Sequence, residues 1–169
     1  MAKMPDYPLQ TLYEMREKKK KAAEDAYAEA TKYKVGEEKK LEEMHVELKR
    51  MIDSREAKRL EYTARAAKGE YNVKEMQSNM RHLDRMKDKE GAYKLTIENQ
   101  KDAVKAADAV VQEKKEAMLL ATQEFKALEK HKEKWLAEVK RELAMKEEDN
   151  LEDIAQTIFL KRQRDAGGG

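Results

Sequence analysis

From Met76 to Val139 the apolar residues of this chain recur at alternating spacings of three and four, for about nine heptads. The stripe reads Met76, Leu83, Met86, Tyr93, Ile97, Val104, Ala107, Val111, Met118, Ala121, Phe125, Leu128, Trp135 and Val139. An average period of 3.5 keeps one face of a helix turned towards a partner helix over its whole length. The lapses at Asn79, Glu90, Gln100, Lys114 and Lys132 are polar residues that a coiled coil tolerates at some cost. No globular core has a use for a stripe this long, so the pattern predicts an all-α coiled coil with a mechanical or adaptor role.

Composition supports the same class. Charged residues make up 43% of the chain and aromatics 6%, with 2 Pro and 6 Gly among 169 residues. Such usage belongs to long helices rather than to compact domains of this length. The 37 basic and 35 acidic residues nearly cancel, whereas a dedicated nucleic-acid binder shows a basic excess. With no Cys, disulfides and thiolate chemistry are excluded and a reducing compartment is expected. The longest apolar run, Ala117 to Ala121, is far short of the ~20 residues that span a bilayer. The N-terminus shows no signal-like apolar region. The expectation is a cytoplasmic protein with no membrane insertion.

Pro5, Asp6 and Pro8 suggest a helix start near Pro8, with Asp6 as its cap. The first stripe reads Leu9, Leu12, Ala23, Ala26, Ala30, Tyr33, Leu41, Met44, Leu48, Met51 and Tyr62, with a stutter between Tyr33 and Met44. The break is expected at Lys68–Asn72: Gly69 suits the left-handed residue after a helix end, and Asn72 with Glu75 has the form of a capping box. Gly91 is a competing break, but the heptad phase runs through it. Two striped helices joined by a short turn make an antiparallel hairpin. The prediction is one domain over 1–165, with helix 1 at about 8–67, a turn at about 68–72, helix 2 at about 72–163 and a flexible tail at 166–169. At ~1.5 Å per residue helix 1 is roughly 90 Å long and helix 2 roughly 135 Å. The last ~30 residues therefore outrun helix 1 as a helical overhang, carrying Val139, Leu143, Leu151, Ile154, Ile158 and Phe159. An unpaired apolar stripe of this kind calls for a partner.

Catalytic and metal chemistry find no support. Glu42 and His45 have Glu-x-x-His spacing, but a di-iron bundle needs two such motifs and two further carboxylates. They flank Leu41 and Met44 rather than replacing them, which reads as a solvated edge. His82 and His131 lack any nucleophile or ligand constellation, and there is no phosphate-cradling loop. No enzyme, metal or cofactor is expected. Most of the ten Met fall on the stripe as core; Met80 sits one position off it and is expected to be exposed. The basic run Lys18–Lys21 reads first as a solvated helix face.

Tyr7-Pro8-Leu9, the break from Gly69 to Asn72, His131-Lys132-Glu133-Lys134-Trp135, and Glu152 to Gln156 followed by Phe159, Lys161 and Arg162 together resemble the FliJ/YscO family. These are the central-stalk proteins of type III secretion ATPases, and the Trp-containing stretch looks more like the injectisome branch. The resemblance implies an antiparallel two-helix coiled coil similar to the γ subunit of F-type ATPases. It implies that the joined termini enter the pore of a hexameric ATPase and promote its activity at the cytoplasmic face of a secretion apparatus. The residues that would serve there are Leu9, Leu12, Arg16, Ile154, Ile158, Phe159, Arg162 and Arg164. It also implies contacts with an export-gate protein and with secretion chaperones, for which Met76, Met80 and Leu83 are the candidates. Taken alone the chain is expected to be a monomer that binds no nucleic acid. The rival readings are a generic self-associating coiled-coil scaffold and an RNA-binding hairpin arm.

Overall fold

The computed structural model describes residues 3–168. Two helices account for nearly all of them, α1 (Gln10–Ala67) and α2 (Val73–Gly167), with no strand among the described residues. The chain divides into two compact units. One holds the residues up to Ala23 together with those from Met118 onward, and the other holds Glu24–Ala117.

The second unit contains the turn. Gly69 has φ +71°, which costs an L side chain about 1 kcal/mol or more and glycine little. Its N–H donates to the Ala66 carbonyl at 3.0 Å, and the Glu70 N–H donates to the Arg65 carbonyl at 3.2 Å. This 5→2 and 6→1 pair is a Schellman motif and satisfies the last carbonyls of α1. The next helix opens with a reciprocal cap. The Glu75 N–H donates to Asn72 Oδ1 at 2.8 Å and the Asn72 N–H to Glu75 Oε2 at 3.2 Å. Tyr71 closes the turn, its ring 6.3 Å from that of Tyr62 and 5.1 Å from the Arg65 guanidinium. Gly91 lies inside α2, where the helix runs straight through.

Along α2 the stripe faces α1 as a coiled-coil seam. In the second unit Ile97, Ala107 and Val111 are buried, and in the first Ala121, Phe125 and Leu128 are. The polar lapses belong to the seam rather than interrupting it. Glu90 is only 4% exposed and accepts from Arg55 Nε at 2.7 Å. Glu37 is 6% exposed; Gln100 Nε2 donates to its Oε2 at 2.6 Å and to its carbonyl at 3.0 Å, and Lys40 Nζ donates to its Oε1 at 3.0 Å.

That arrangement corrects the reading of α1. Tyr33 is 64% exposed, whereas its neighbour Lys34 is half-buried and reaches Asp108 at 2.8 Å. Gln10, Ala26, Thr31, Glu47, Ile52 and Ala66 are also half-covered, and the central line of the covered face of α1 runs Tyr13, Arg16, Lys20, Ala23, Tyr27, Ala30, Lys34, Glu37, Leu41, Met44, Leu48, Met51, Arg55, Lys58 and Tyr62. These step by three and four without a slip, so there is no stutter. Apolar residues mark the seam poorly here, because Arg and Lys bury their stems while their heads reach a partner. Two end positions also differ from expectation. α1 starts at Gln10, after a turn in which the Gln10 N–H donates to the Tyr7 carbonyl, so Asp6 does not cap it. Tyr7 is buried just before it. α2 continues to Gly167, since no proline intervenes to stop it; of the expected flexible tail, Gly169 lies outside the described residues.

Replacing Val111 by Asp places an unpaired charge in the seam. It is expected to lower stability by on the order of a few kcal/mol, whereas the exposed His45→Ala should change it by under about 0.5 kcal/mol; thermal unfolding followed by circular dichroism measures both. A pH dependence follows from Glu37. The hydrogen bond from Gln100, then Lys40, holds its carboxyl below the ordinary value of 4.5. Its contribution is therefore complete above pH 4.5 and lost as the pH falls through the lower folded value. Asp108 beside Lys34 shifts the same way. The melting temperature should fall on acidification below that point, and Glu37→Gln should fall less steeply than the parent chain.

Candidate functional site

Two surfaces have the chemistry of docking sites, one in each unit. In the first unit the seam thins out near the start of α1. Tyr7 is the last firm contact: its hydroxyl lies 2.6 Å from His131 Nδ1, and its ring centroid lies 5.1 Å from that of Trp135. Lys132 completes the cluster, with Nζ 4.2 Å from the centre of the Tyr13 ring and 2.9 Å from Gln10 Oε1. Tyr13 in turn packs on Phe125 at 5.1 Å. The motifs Tyr7-Pro8-Leu9 and His131 to Trp135, far apart in sequence, are thus one aromatic anchor. Leu136, Val139 and Leu143 are still half-buried beyond it.

From Ala144 to Gly167 every residue of α2 is exposed. Leu151, Ile154, Ile158 and Phe159 stand among them, each about half or more exposed. Positions 151, 154 and 158 repeat the three-and-four spacing, so they form one apolar stripe without a partner helix. Arg162 and Arg164 are exposed just beyond it.

The remaining sequence-predicted residues fall elsewhere. Leu9 and Leu12 are exposed rather than on the seam expected for them, which runs through Tyr13 instead, and Arg16 is half-buried with its Nη1 donating to the Glu124 carbonyl at 3.1 Å. Arg16 therefore holds the hairpin together and is spoken for. These three lie alongside the anchor, whereas Ile154 follows Trp135 by about 19 residues, roughly 30 Å of helix. The two halves of the expected contact are not side by side in the first unit. They are successive patches.

The second surface lies by the turn. Met76, Met80 and Leu83 line one cavity of about 240 Å³ together with Tyr62, Ala66, Tyr71 and Asn79. Met80 is 65% exposed and Met76 less so, while Leu83 is half-buried as a seam residue. Asn79 Nδ2 is buried there with no hydrogen-bond partner, a costly state for an amide donor. The sequence marks Asn79 as a lapse, but only the fold shows its amide left unsatisfied. No helix among the described residues is long and apolar enough to cross a membrane.

Tyr7 can be tested directly, because Trp135 is the one tryptophan of the chain. Tyr7→Ala should shift Trp135 fluorescence to longer wavelength while helix content stays near that of the parent. Unchanged emission would show that Tyr7 does not shield the indole.

The comparisons with known proteins agree with this architecture. A solved structure of a YscO homolog from Chlamydia trachomatis superposes with a TM-score of 0.76, covering 95% of this chain and 99% of that one at 19% identity. At that identity the likeness speaks for the fold. No curated protein matches the chain by sequence. The family model for the YscO-like protein matches residues 4–165, nearly the whole chain, and the protein belongs to the YscO-like family.

Proposed function

We propose that this protein is a non-catalytic central stalk and adaptor of a type III secretion system. In this reading the uncovered end of α2 docks into the pore of a hexameric export ATPase and promotes its activity. The observation that carries it is the stripe Leu151, Ile154 and Ile158 with Phe159, left exposed by a helix that continues well past its partner. Membership of the YscO-like family supports the choice of secretion system. A stalk does no chemistry. It needs a stiff body to transmit a position, which the paired seam supplies, and an end that a ring of subunits can grip. Arg162 and Arg164 would orient that end against acidic groups of the ring. Leu9, Leu12 and Arg16 then act at the base of the gripped segment, Arg16 by keeping the hairpin closed. The cavity edge at Met76, Met80 and Leu83 serves as the contact for an export-gate protein or for secretion chaperones. The protein would work at the cytoplasmic face of the apparatus.

Changing Ile154, Ile158 and Phe159 together to Ser leaves the seam untouched, so helix content and melting temperature should stay near the parent values. Stimulation of the cognate ATPase should be lost, and secretion with it. Charge reversal at Arg162 and Arg164 should weaken the same contact more at low salt than at high salt. A triple variant that still activates the ATPase at ordinary concentration would remove the overhang from the contact.

A further inference from the structure

The exposed end of α2 is not evenly charged. Glu147, Glu148, Asp149, Glu152 and Asp153 occupy its first half, against one cation, Lys146. Lys161, Arg162 and Arg164 occupy its second half, against one carboxylate, Asp165. The apolar stripe lies between the two halves. We propose that two copies of this chain pair through these ends, antiparallel, in a register that sets Ile154 of each copy beside Ile158 of the other.

Two independent features select that arrangement. The first is spacing. Leu151, Ile154, Ile158 and Lys161 step by three, four and three, the alternation of a coiled-coil seam. In antiparallel pairing about a two-fold axis, Ile154 meets the second copy's Ile158, and Leu151 meets the second copy's Lys161. Each contact occurs twice. The lysine covers the leucine with its methylene stem and keeps its ammonium in water.

The second feature is charge. The positions flanking such a seam set orientation through ion pairs. In this register Glu148 faces the second copy's Arg162, and Asn150 faces its Arg164. A parallel pair would set the acidic half against the acidic half and the basic tip against the basic tip, which costs rather than stabilises. Glu147 and Asp165 meet only at the far ends, where solvent screens them.

Two Ile–Ile layers flanked by two Leu–Lys layers bury much less than the interface of a stable dimer. The pairing is accordingly weak, concentration-dependent and displaceable by a tighter partner for the same stripe. It does not rest on the secretion reading, but under that reading it hides the docking end until the ATPase takes it. The sequence-based expectation of a monomer then holds only in dilute solution.

Sedimentation equilibrium over rising protein concentration tests the pairing without any partner. The apparent mass should climb from one chain of 19.7 kDa towards two. Glu148→Arg and Arg162→Glu should each suppress that rise, since each sets like charges together twice in its own pair. An equimolar mixture of the two variants should restore the rise, because every flanking pair is then complementary. The chain has no cysteine, so a second readout is clean: on oxidation, Glu148→Cys mixed with Arg162→Cys should form a mixed disulfide, while Glu148→Cys alone should not. Circular dichroism of each variant confirms that the hairpin is intact. A parent chain that stays at one mass throughout, or a mixture no better than its components, would overturn the proposal and leave the stripe to a foreign partner. A disulfide from Glu148→Cys alone would overturn the antiparallel register.

Discussion

A carboxylate buried in a helix seam is tolerable only beside its partner, and this hairpin carries two. Glu90 has Arg55, and Glu37 has Gln100 and Lys40. Such pairs add little net stability compared with apolar layers, because desolvation offsets most of the attraction. Their effect is on the alternatives. Slipping the helices by one heptad would set Glu90 against Leu48 or Tyr62, and Glu37 against Tyr93 or Ala107. Each slipped state parts Glu90 from Arg55 and Glu37 from Gln100, and a buried charge without its partner is costly. The remaining seam is too uniform in period to reject a slip by itself. A rod made only of alanine, valine and methionine layers would hold the helices together in several registers. Within the second unit the polar layers select one.

In the first unit Tyr7 meets His131 and Trp135 in a firm contact near the start of α1. From Ala144 onward, past the half-buried Leu136, Val139 and Leu143, the helix continues on local propensity, through a segment rich in Glu, Lys, Arg, Leu and Ile. A single helix in water is marginal unless its residues favour it. Here the charged residues do, and acidic residues ahead of basic ones suit the helix dipole.

The fold class was legible because a strict heptad over α2 leaves few other structures, and because Gly69, Asn72 and Glu75 carry local turn chemistry that needs no tertiary context. The first helix was harder to read. Choosing Tyr33 over Lys34 for its apolarity forced a stutter that does not exist. Counting back from Leu41 in steps of four and three lands on Glu37, Lys34, Ala30, Tyr27, Ala23, Lys20, Arg16 and Tyr13, the positions the structure covers. The signal was therefore present, but as phase and not as hydropathy. Hydropathy fails there because six of the fifteen seam positions of α1 are charged, and a charge is acceptable only where a suitable group meets it. That is long-range information. Tyr7 was missed for the same reason: nothing local to an extended tyrosine before a proline announces a tryptophan more than a hundred residues away.

The candidate sites follow from where the seam's demands stop. Near the turn, Asn79 occupies a seam position with its amide hydrogen unsatisfied, beside two exposed methionines. At the other end, a stripe that continues the seam's spacing has no helix to face. In both places the sequence keeps a pattern whose partner this chain does not itself supply. The proposed docking surfaces share one physical property: apolar area is held ready on a helix, so that little ordering remains to be done when a partner arrives.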